Sequence, residues 1–321
     1  MLSEHGYRAS GSIFNDSAEI NIYENYNKAY FYLQDGNSGA YKFYTGLHPD
    51  QHYLIWTSDL NSNMVPHTIN PPSLSYEYFS AHVWAYSDPG DYNYDDEILL
   101  FRDYYWDATP YFQFHYPSGH GAVQDFIFAA NTYINDYISY YFTQAGPLPS
   151  SVPNMNTMIN SVWLNLPDQV EASIIGTADI QLCRLLLEED DKRGLSIYLR
   201  GAVGEALRIP SIPSGILAEY RVPAVSYSNL RVYYLTLREH SDADGYYPLA
   251  NSLCGFAPFD PYYTPGTTIK DVEYYEYLQD KKGVSLSDRE KRNHRPGPDG
   301  AEYPGSPPVS RQSSGFRSPW R

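Results

Sequence analysis

Residues 29–44 read AYFYLQDGNSGAYKFY, two aromatic-rich runs joined by a short polar connection. The runs, Ala29–Gln34 and Ala40–Tyr44, are dominated by tyrosine and phenylalanine, which favour β-strands. The connection Asp35–Gly39 contains two glycines, and glycine supplies the positive φ that hairpin turns require. The stretch therefore predicts a β-hairpin.

Short apolar or aromatic runs continue on both sides of this hairpin and predict further strands. These are Glu19–Tyr23, His52–Thr57, Glu97–Tyr105, Tyr111–Tyr116, Ala172–Leu187, Gly194–Val203, Gly215–Val225 and Asn229–Arg238. We expect the last strand to carry its arginines on one face. Polar loops marked by proline are predicted at Asn61–Ser75 and Gly146–Pro153.

Two segments have the spacing of short helices. Ser75 is a candidate N-cap for a helix that ends near Tyr86. Thr268 and Asp271 are spaced as in a capping box, and Gly283 stands where this second helix would stop. Residues 124–142 fit both helical and strand periodicity; a strand is favoured at the start and the rest stays open.

About ten strands with long loops and few helices predict an all-β protein. No repeat of 20–50 residues is visible, so we expect an antiparallel jelly roll or related β-sandwich with long loop insertions and two or three short helices. This jelly-roll domain would span residues 1–282. Residues 283–321 are rich in Pro, Gly, Ser and Arg and are too poor in apolar side chains to fold alone. They are expected to form a basic C-terminal tail.

The composition excludes several classes of protein. Tyrosine accounts for 34 of 321 residues and charged residues for only 19%, which argues against a wholly disordered chain. No apolar run reaches the roughly 20 residues of a membrane-spanning helix. The N-terminal sequence MLSEHGYRASGS predicts no signal peptide. Two cysteines, Cys183 and Cys254, are too few for a disulfide scaffold, and Cys183 lies in an apolar run typical of the core.

Charge is unevenly distributed along the chain. The formal net charge is −16. From Lys281 to the end, nine Lys/Arg face four Asp/Glu, so this segment carries +5 and the preceding 280 residues carry −21. An acidic body repels nucleic acid, because phosphate binding depends on Lys and Arg. Only the tail is suited to bind nucleic acid.

Two acidic groups are candidates for a divalent cation such as calcium. Asp242 and Asp244 resemble the first half of a calcium loop, although the later bidentate Glu of such loops is absent. Asp95, Asp96 and Glu97 are adjacent acids that repel one another unless they are solvated or bridged by a cation. The alternative for both groups is an ordinary solvated loop.

No catalytic motif stands out. The chain has no Gly-x-Ser-x-Gly, P-loop or dinucleotide-binding motif, so we predict that it is not an enzyme. His115 and His120 flank the short sequence Tyr-Pro-Ser-Gly and are predicted to be loop histidines.

Tyrosine also occurs in adjacent pairs, such as Tyr140-Tyr141 and Tyr233-Tyr234. In a strand, one ring of each pair points inward and the next outward. Outward tyrosines are typical of protein interfaces and of surfaces that stack on sugars. We favour an interface between copies of the chain.

Taken together, these features resemble the capsid protein of a small non-enveloped icosahedral virus, most closely a parvovirus of the densovirus kind. The resemblance rests on a Tyr-, Asn- and Pro-rich chain, strands split by long loops, and the possible helix at Ser75–Tyr86 after the first strands. It implies a viral structural protein of the virion that self-assembles sixty at a time into a T=1 icosahedral capsid around nucleic acid, expected to be single-stranded DNA. Assembly would take place inside the host cell. The alternative is a β-sandwich carbohydrate-binding module, or a glycosidase, that uses exposed Tyr and Trp.

Within such a shell, basic residues near the start of the tail are the candidate contacts to nucleic acid or to a neighbouring subunit. They are Lys281, Lys282, Arg289, Lys291, Arg292 and Arg295.

Overall fold

The computed structural model describes the greater part of the chain between residues 28 and 275 and three short stretches before it. The described ranges are 2–3, 11–14, 17–21, 28–35, 38–48, 52–92, 98–106, 111–135, 137–154, 156–165, 168–187, 195–211, 213–215, 230–242 and 264–275.

These ranges consist mainly of β-strands. The strands are β1 Leu2–Ser3, β2 Gly11–Phe14, β3 Ser17–Asn21, β4 Lys28–Asp35, β5 Ser38–Thr45, β6 His52–Trp56, β7 Val65–Ile69, β8 Tyr78–Tyr86, β9 Ile98–Trp106, β10 Phe112–Tyr116, β11 Asp125–Tyr133, β12 Ile138–Ala145, β13 Met158–Asn165, β14 Gln169–Ile175, β15 Ile180–Leu187, β16 Leu195–Gly201, β17 Leu207–Arg208, β18 Leu230–His240 and β19 Thr268–Tyr275. A short 3-10 helix, Thr57–Asp59, follows β6.

Eight strands form one antiparallel sheet in the order β16-β15-β18-β19-β12-β11-β8-β9. The sheet is built from four pairs of consecutive strands, namely β8 with β9, β11 with β12, β15 with β16 and β18 with β19. Antiparallel neighbours of this kind need no crossover helix between them. The prediction of an antiparallel all-β fold is confirmed.

One face of the large sheet is apolar and shares a single core with three smaller sheets. The smaller sheets have the orders β1-β4-β5, β10-β7 and β13-β14-β17. Phe128, Phe142 and Leu235 project from the large sheet into this core, where they meet residues such as Phe114 of β10 and Ile159 of β13. Two layers of sheet with apolar side chains between them are the arrangement of a β-sandwich.

The predicted hairpin is confirmed as β4 and β5, which pair from Lys28↔Thr45 to Asp35↔Ser38. Successive residues of β4 pack into two different hydrophobic cores. Tyr30 joins the large core, whereas Ala29 and Phe31 pack with Ile55 in a smaller one. A strand buried on both faces has a nearly continuous apolar sequence, which explains the aromatic run.

Both predicted helices are wrong. Residues within Ser75–Tyr86 form strand β8, and the late helix that would begin at Thr268 is strand β19. In β8, Tyr78, Phe79 and Ser80 are consecutive and all buried, because the strand is covered on both faces. The apolar residues that resembled one face of a helix are therefore drawn from both buried faces of a strand.

One segment that the sequence left open is now assigned, and two others differ from their predicted structure. The open segment 124–142 is two strands, β11 and β12. The predicted loop Asn61–Ser75 contains β7, which pairs with β10. The predicted strand Ala172–Leu187 is divided between β14 and β15 at Gly176, which has φ +99°. A Cβ atom there would lie 2.2 Å from the carbonyl oxygen of Asn156, so only glycine fits this turn.

A bulge in β18 places the arginines of this strand on one face. Arg184 pairs with Tyr234 while Leu185 pairs with Val232, so Tyr233 is the extra residue. Arg231 and Arg238 are an odd number of positions apart, yet the bulge puts both on the face opposite the core. The predicted face is confirmed.

Of the predicted strand Gly215–Val225 only Gly215 is described, and the predicted tail 283–321 lies wholly outside the described residues. Within the described residues, no helix is long and apolar enough to cross a membrane.

Candidate functional site

Most of the residues predicted to bind a cation or nucleic acid lie outside the described residues. This holds for Asp95, Asp96, Glu97 and Asp244, and for the six basic residues between Lys281 and Arg295. Their roles stay predictions. Asp242 is the one predicted site residue within the described ranges.

Asp242 lies two residues after the end of β18, and its carboxylate accepts hydrogen bonds from three hydroxyls. Ser241 Oγ donates to Oδ1 at 2.9 Å, Thr264 Oγ1 donates to Oδ2 at 2.8 Å, and Thr267 Oγ1 also donates to Oδ2. Burial acts to raise the pKa of Asp242, but these hydrogen bonds outweigh it and lower the pKa below the ordinary value. The side chain therefore joins the end of β18 to the segment before β19. No group of three His, Cys, Asp or Glu side chains within the described ranges is placed to hold a metal ion.

The face of the large sheet opposite the core carries a polar cluster in its central strands. We define this polar cluster as Tyr141 of β12, Thr236 and Arg238 of β18, and Asp271, Glu273 and Tyr275 of β19. Arg238 and Asp271 face each other and form a two-pronged ion pair with N–O distances of 2.8 and 2.6 Å. Both residues are 9% exposed, so each charge depends on the other for its stabilisation.

Glu273 lies next to this ion pair. Its carboxylate accepts a hydrogen bond of 3.1 Å from Thr236 Oγ1 and a second from the hydroxyl of Tyr275, which lies 3.4 Å from the hydroxyl of Tyr141. Although part of the residue is exposed, its carboxyl group is desolvated, and this raises the pKa of Glu273 to about 6. The charge of Asp271 acts in the same direction, whereas the two hydrogen bonds and Arg238 act against it.

Glu273 was not predicted from the sequence, and Asp271 was predicted only as a helix-capping residue, because the spacing of this segment indicated a helix. The available signal was the alternation of acidic residues with apolar or aromatic ones in Asp271-Val272-Glu273-Tyr274. In a strand, that alternation places Asp271, Glu273 and Tyr275 on one face.

The predicted core position of Cys183 is confirmed, and the prediction for His115 is wrong. Cys183 is fully buried in the large core, where burial raises the pKa of its thiol to about 12. His115 is also buried, within strand β10 rather than in a loop. His120 lies in a loop as predicted, and its ring stacks on Phe43 with 4.2 Å between centroids.

A shallow pocket lies on the core side of β18 and β19, lined in part by Tyr140, Thr157, Glu239 and Lys270. Lys270 Nζ and Glu239 Oε1 are 2.5 Å apart in this pocket. Because Lys270 and Glu239 pair with each other, neither charge is available to bind a small molecule in this pocket.

Within the described residues, large apolar side chains are exposed on five separate parts of the fold. They are Leu54 and Trp56 on β6, Tyr111 before β10, Tyr137 before β12, Met158, Trp163 and Ile175 on β13 and β14, and Tyr198 on β16. Single exposed apolar residues are common in proteins, whereas several on one face indicate an interaction surface.

The greatest concentration is on the outer face of β13 and β14. We define the β13–β14 face by the outward cross-strand pairs Met158↔Ile175, Ser161↔Ser173, Trp163↔Glu171 and Asn165↔Gln169. Ile175 is 58% exposed, Met158 44% and Trp163 42%. The intervening residues Ile159, Val162 and Val170 point to the large core. Glu171 is the single charged residue on this face, and its Oε1 accepts a hydrogen bond of 2.9 Å from Asn165.

Comparison with known proteins gave no relative: no family model, curated protein or solved structure matches this chain.

Proposed function

We propose that this protein is a structural protein that assembles with copies of itself into a closed shell, as viral capsid proteins do. The main support for the proposal is the distribution of exposed large apolar side chains over β6, β13, β14, β16 and the segments just before β10 and β12. A closed shell requires every subunit to contact several neighbours through different surfaces. Dispersed apolar surfaces fit that requirement.

The proposal includes the finer features expected from the sequence. These are a jelly-roll arrangement of the strands, an icosahedral shell of sixty copies around single-stranded DNA, contacts from the basic tail, and calcium at the acidic groups. The charge of −16 per chain makes counter-charges necessary in any assembly of many copies. Cations and the basic tail are the two sources of positive charge that the proposal uses.

A carbohydrate-binding module is the second candidate, and the exposed indole of Trp56, 50% accessible beside Leu54, favours it. Aromatic side chains of this kind can stack on sugar rings. Such a module gathers its aromatic residues on one platform, whereas the exposed residues here are spread over separate elements. The dispersion favours assembly.

Light scattering and negative-stain microscopy of the purified full chain test the proposal. We expect uniform particles much larger than the 36.7 kDa chain. A stable monomer over a wide range of salt and protein concentration would overturn assembly. Retention of that monomer on a polysaccharide column would favour the carbohydrate-binding module.

A further inference from the structure

Strand β13 is the outer strand of the β13-β14-β17 sheet. It pairs with β14 on one side, and within the described ranges no backbone group pairs with its other side. The free edge of a strand presents unpaired N–H and C=O groups to any strand that can approach it.

The residues of β13 do not protect this edge. Natural edge strands are usually guarded by charged side chains or proline, which prevent pairing with another chain. Strand β13 reads MINSVWLN and has neither. Its protection is limited to one irregularity at Asn160, where the pairing with β14 shifts between Ile159 and Ser161.

Beyond that irregularity, residues Ser161–Asn165 form a regular strand that is compatible with itself. Ser161, Trp163 and Asn165 point outward, and Val162 and Leu164 point to the core. In a two-fold antiparallel pair centred on Trp163, outward residues meet outward residues, and inward residues meet inward residues. Trp163 then lies opposite its own counterpart, and Ser161 lies opposite Asn165 of the other copy.

The charges around β13 favour a second copy of the chain as the partner that binds its free edge. The chain carries −16, so most of its surface repels another copy. Glu171 is the single charged residue of the β13–β14 face. A cationic partner or the basic tail would therefore gain little electrostatic attraction there. A second copy of the chain gains a cross-strand Trp163 pair, an aromatic contact that stabilises antiparallel strands.

We infer that two copies of the chain join edge to edge through antiparallel pairing of Ser161–Asn165 in β13, with Trp163 at the two-fold axis. The two β13-β14-β17 sheets become one continuous six-stranded sheet. This inference rests on the proposed function, since it identifies one of the contacts between subunits.

Site-directed crosslinking tests the register. Ser161→Cys and Asn165→Cys are made separately in a full-length Cys254→Ser chain, in which buried Cys183 is kept. Both substituted positions are exposed, and circular dichroism confirms that each variant retains its strands. The two variants are unfolded, mixed, refolded together and treated with dibromobimane, which joins neighbouring thiols. The control mixture combines Asn165→Cys with Ser173→Cys, a residue on the same face but on the inner strand β14.

We expect a covalent dimer from the mixture of Ser161→Cys and Asn165→Cys, and at least a tenfold lower yield from either variant alone and from the control mixture. Equal yields in all samples would overturn the register. If light scattering shows assembled particles but the mixture gives no dimer, the β13 contact is wrong and the proposed function stands. If the unmodified chain is a monomer, both fail.

Discussion

Thr236 and Glu273 lie directly opposite each other on β18 and β19, and Thr236 Oγ1 donates a hydrogen bond of 3.1 Å to the carboxylate of Glu273. This contact belongs to a polar cluster at the centre of an eight-stranded sheet. Arg238, Asp271 and Glu273 carry one positive and two negative charges when all are ionised. The cluster is therefore sensitive to the protonation of Glu273.

We predict that Glu273→Gln stabilises the protein at neutral pH. Because the pKa of Glu273 is raised from 4.5 to about 6, the folded chain binds this proton more tightly than the unfolded chain does. Stability from this group is greatest below the unfolded pKa and falls as the pH rises through 6, by about 2 kcal/mol in all. Glu273→Gln removes this loss, so the variant should gain that amount at pH 7.5 and nothing at pH 4.

Urea unfolding at both pH values measures this effect. The matched control is Glu205→Gln, which changes an exposed glutamate in a loop. Identical pH profiles for the wild-type chain and Glu273→Gln would show that the carboxyl group is not desolvated in the folded protein.

The ion pair between Arg238 and Asp271 is expected to contribute little net stability to the fold, whereas removal of only one partner should destabilise the fold strongly. Arg238→Met leaves the mostly buried carboxylate of Asp271 without its partner and should lower the free energy of unfolding by about 3–5 kcal/mol. The double variant Arg238→Met/Asp271→Leu removes both charges and should recover most of that loss. Denaturant unfolding measures the free energy of unfolding of both variants. A double variant that is less stable than Arg238→Met would contradict the expectation.

Gly176→Ala should destabilise the protein through both its backbone and its surroundings. The residue has φ +99°, and the added Cβ would meet the Asn156 carbonyl oxygen at 2.2 Å. Gly204→Ala is the matched control, because Gly204 also has a positive φ of +84° but has no atom within 4 Å of an added Cβ. We expect a loss of about 1 kcal/mol for the control and at least about 2 kcal/mol more for Gly176→Ala. Equal melting temperatures for the two variants would contradict the contact.

Removal of divalent cations should lower the melting temperature of the assembled particle, and added calcium should restore it. A cation that binds the assembled state stabilises it by mass action. Asp242→Asn also weakens the hydrogen bonds to Thr264 and Thr267, so Asp244→Asn is the cleaner variant. Calorimetry with and without EDTA measures the response. A melting temperature indifferent to EDTA at neutral pH would identify the acidic groups as solvated loops.

Deletion of residues 281–321 should weaken assembly more at low salt than at high salt. This segment carries +5 against −21 for the rest of the chain, and salt already screens such contacts at high ionic strength. Sedimentation of the truncated and full chains at 50 mM and 500 mM salt measures the difference. Equal loss at both salt concentrations would exclude an electrostatic role.

The class of the fold and its most local features could be predicted from the order of residues along the chain. The hairpin of β4 and β5, the antiparallel all-β character and the burial of Cys183 depend on residues adjacent in the chain, and all three were predictable. Glycine-containing turns between aromatic runs specify a hairpin without reference to anything distant.

Features in which distant segments of the chain meet could not be predicted, because they depend on tertiary packing. Strand β8 was mistaken for a helix because both its faces are buried, which removes the alternation that identifies a strand. Strand β13 was missed because the irregularity at Asn160 interrupts its pattern. The pKa of Glu273 is raised mainly by burial of its carboxyl group in the large sheet, and Thr236 and Arg238 of the neighbouring strand β18 oppose that rise. A carboxylate's burial and partners are set by strand order and register, which no local pattern of residues encodes.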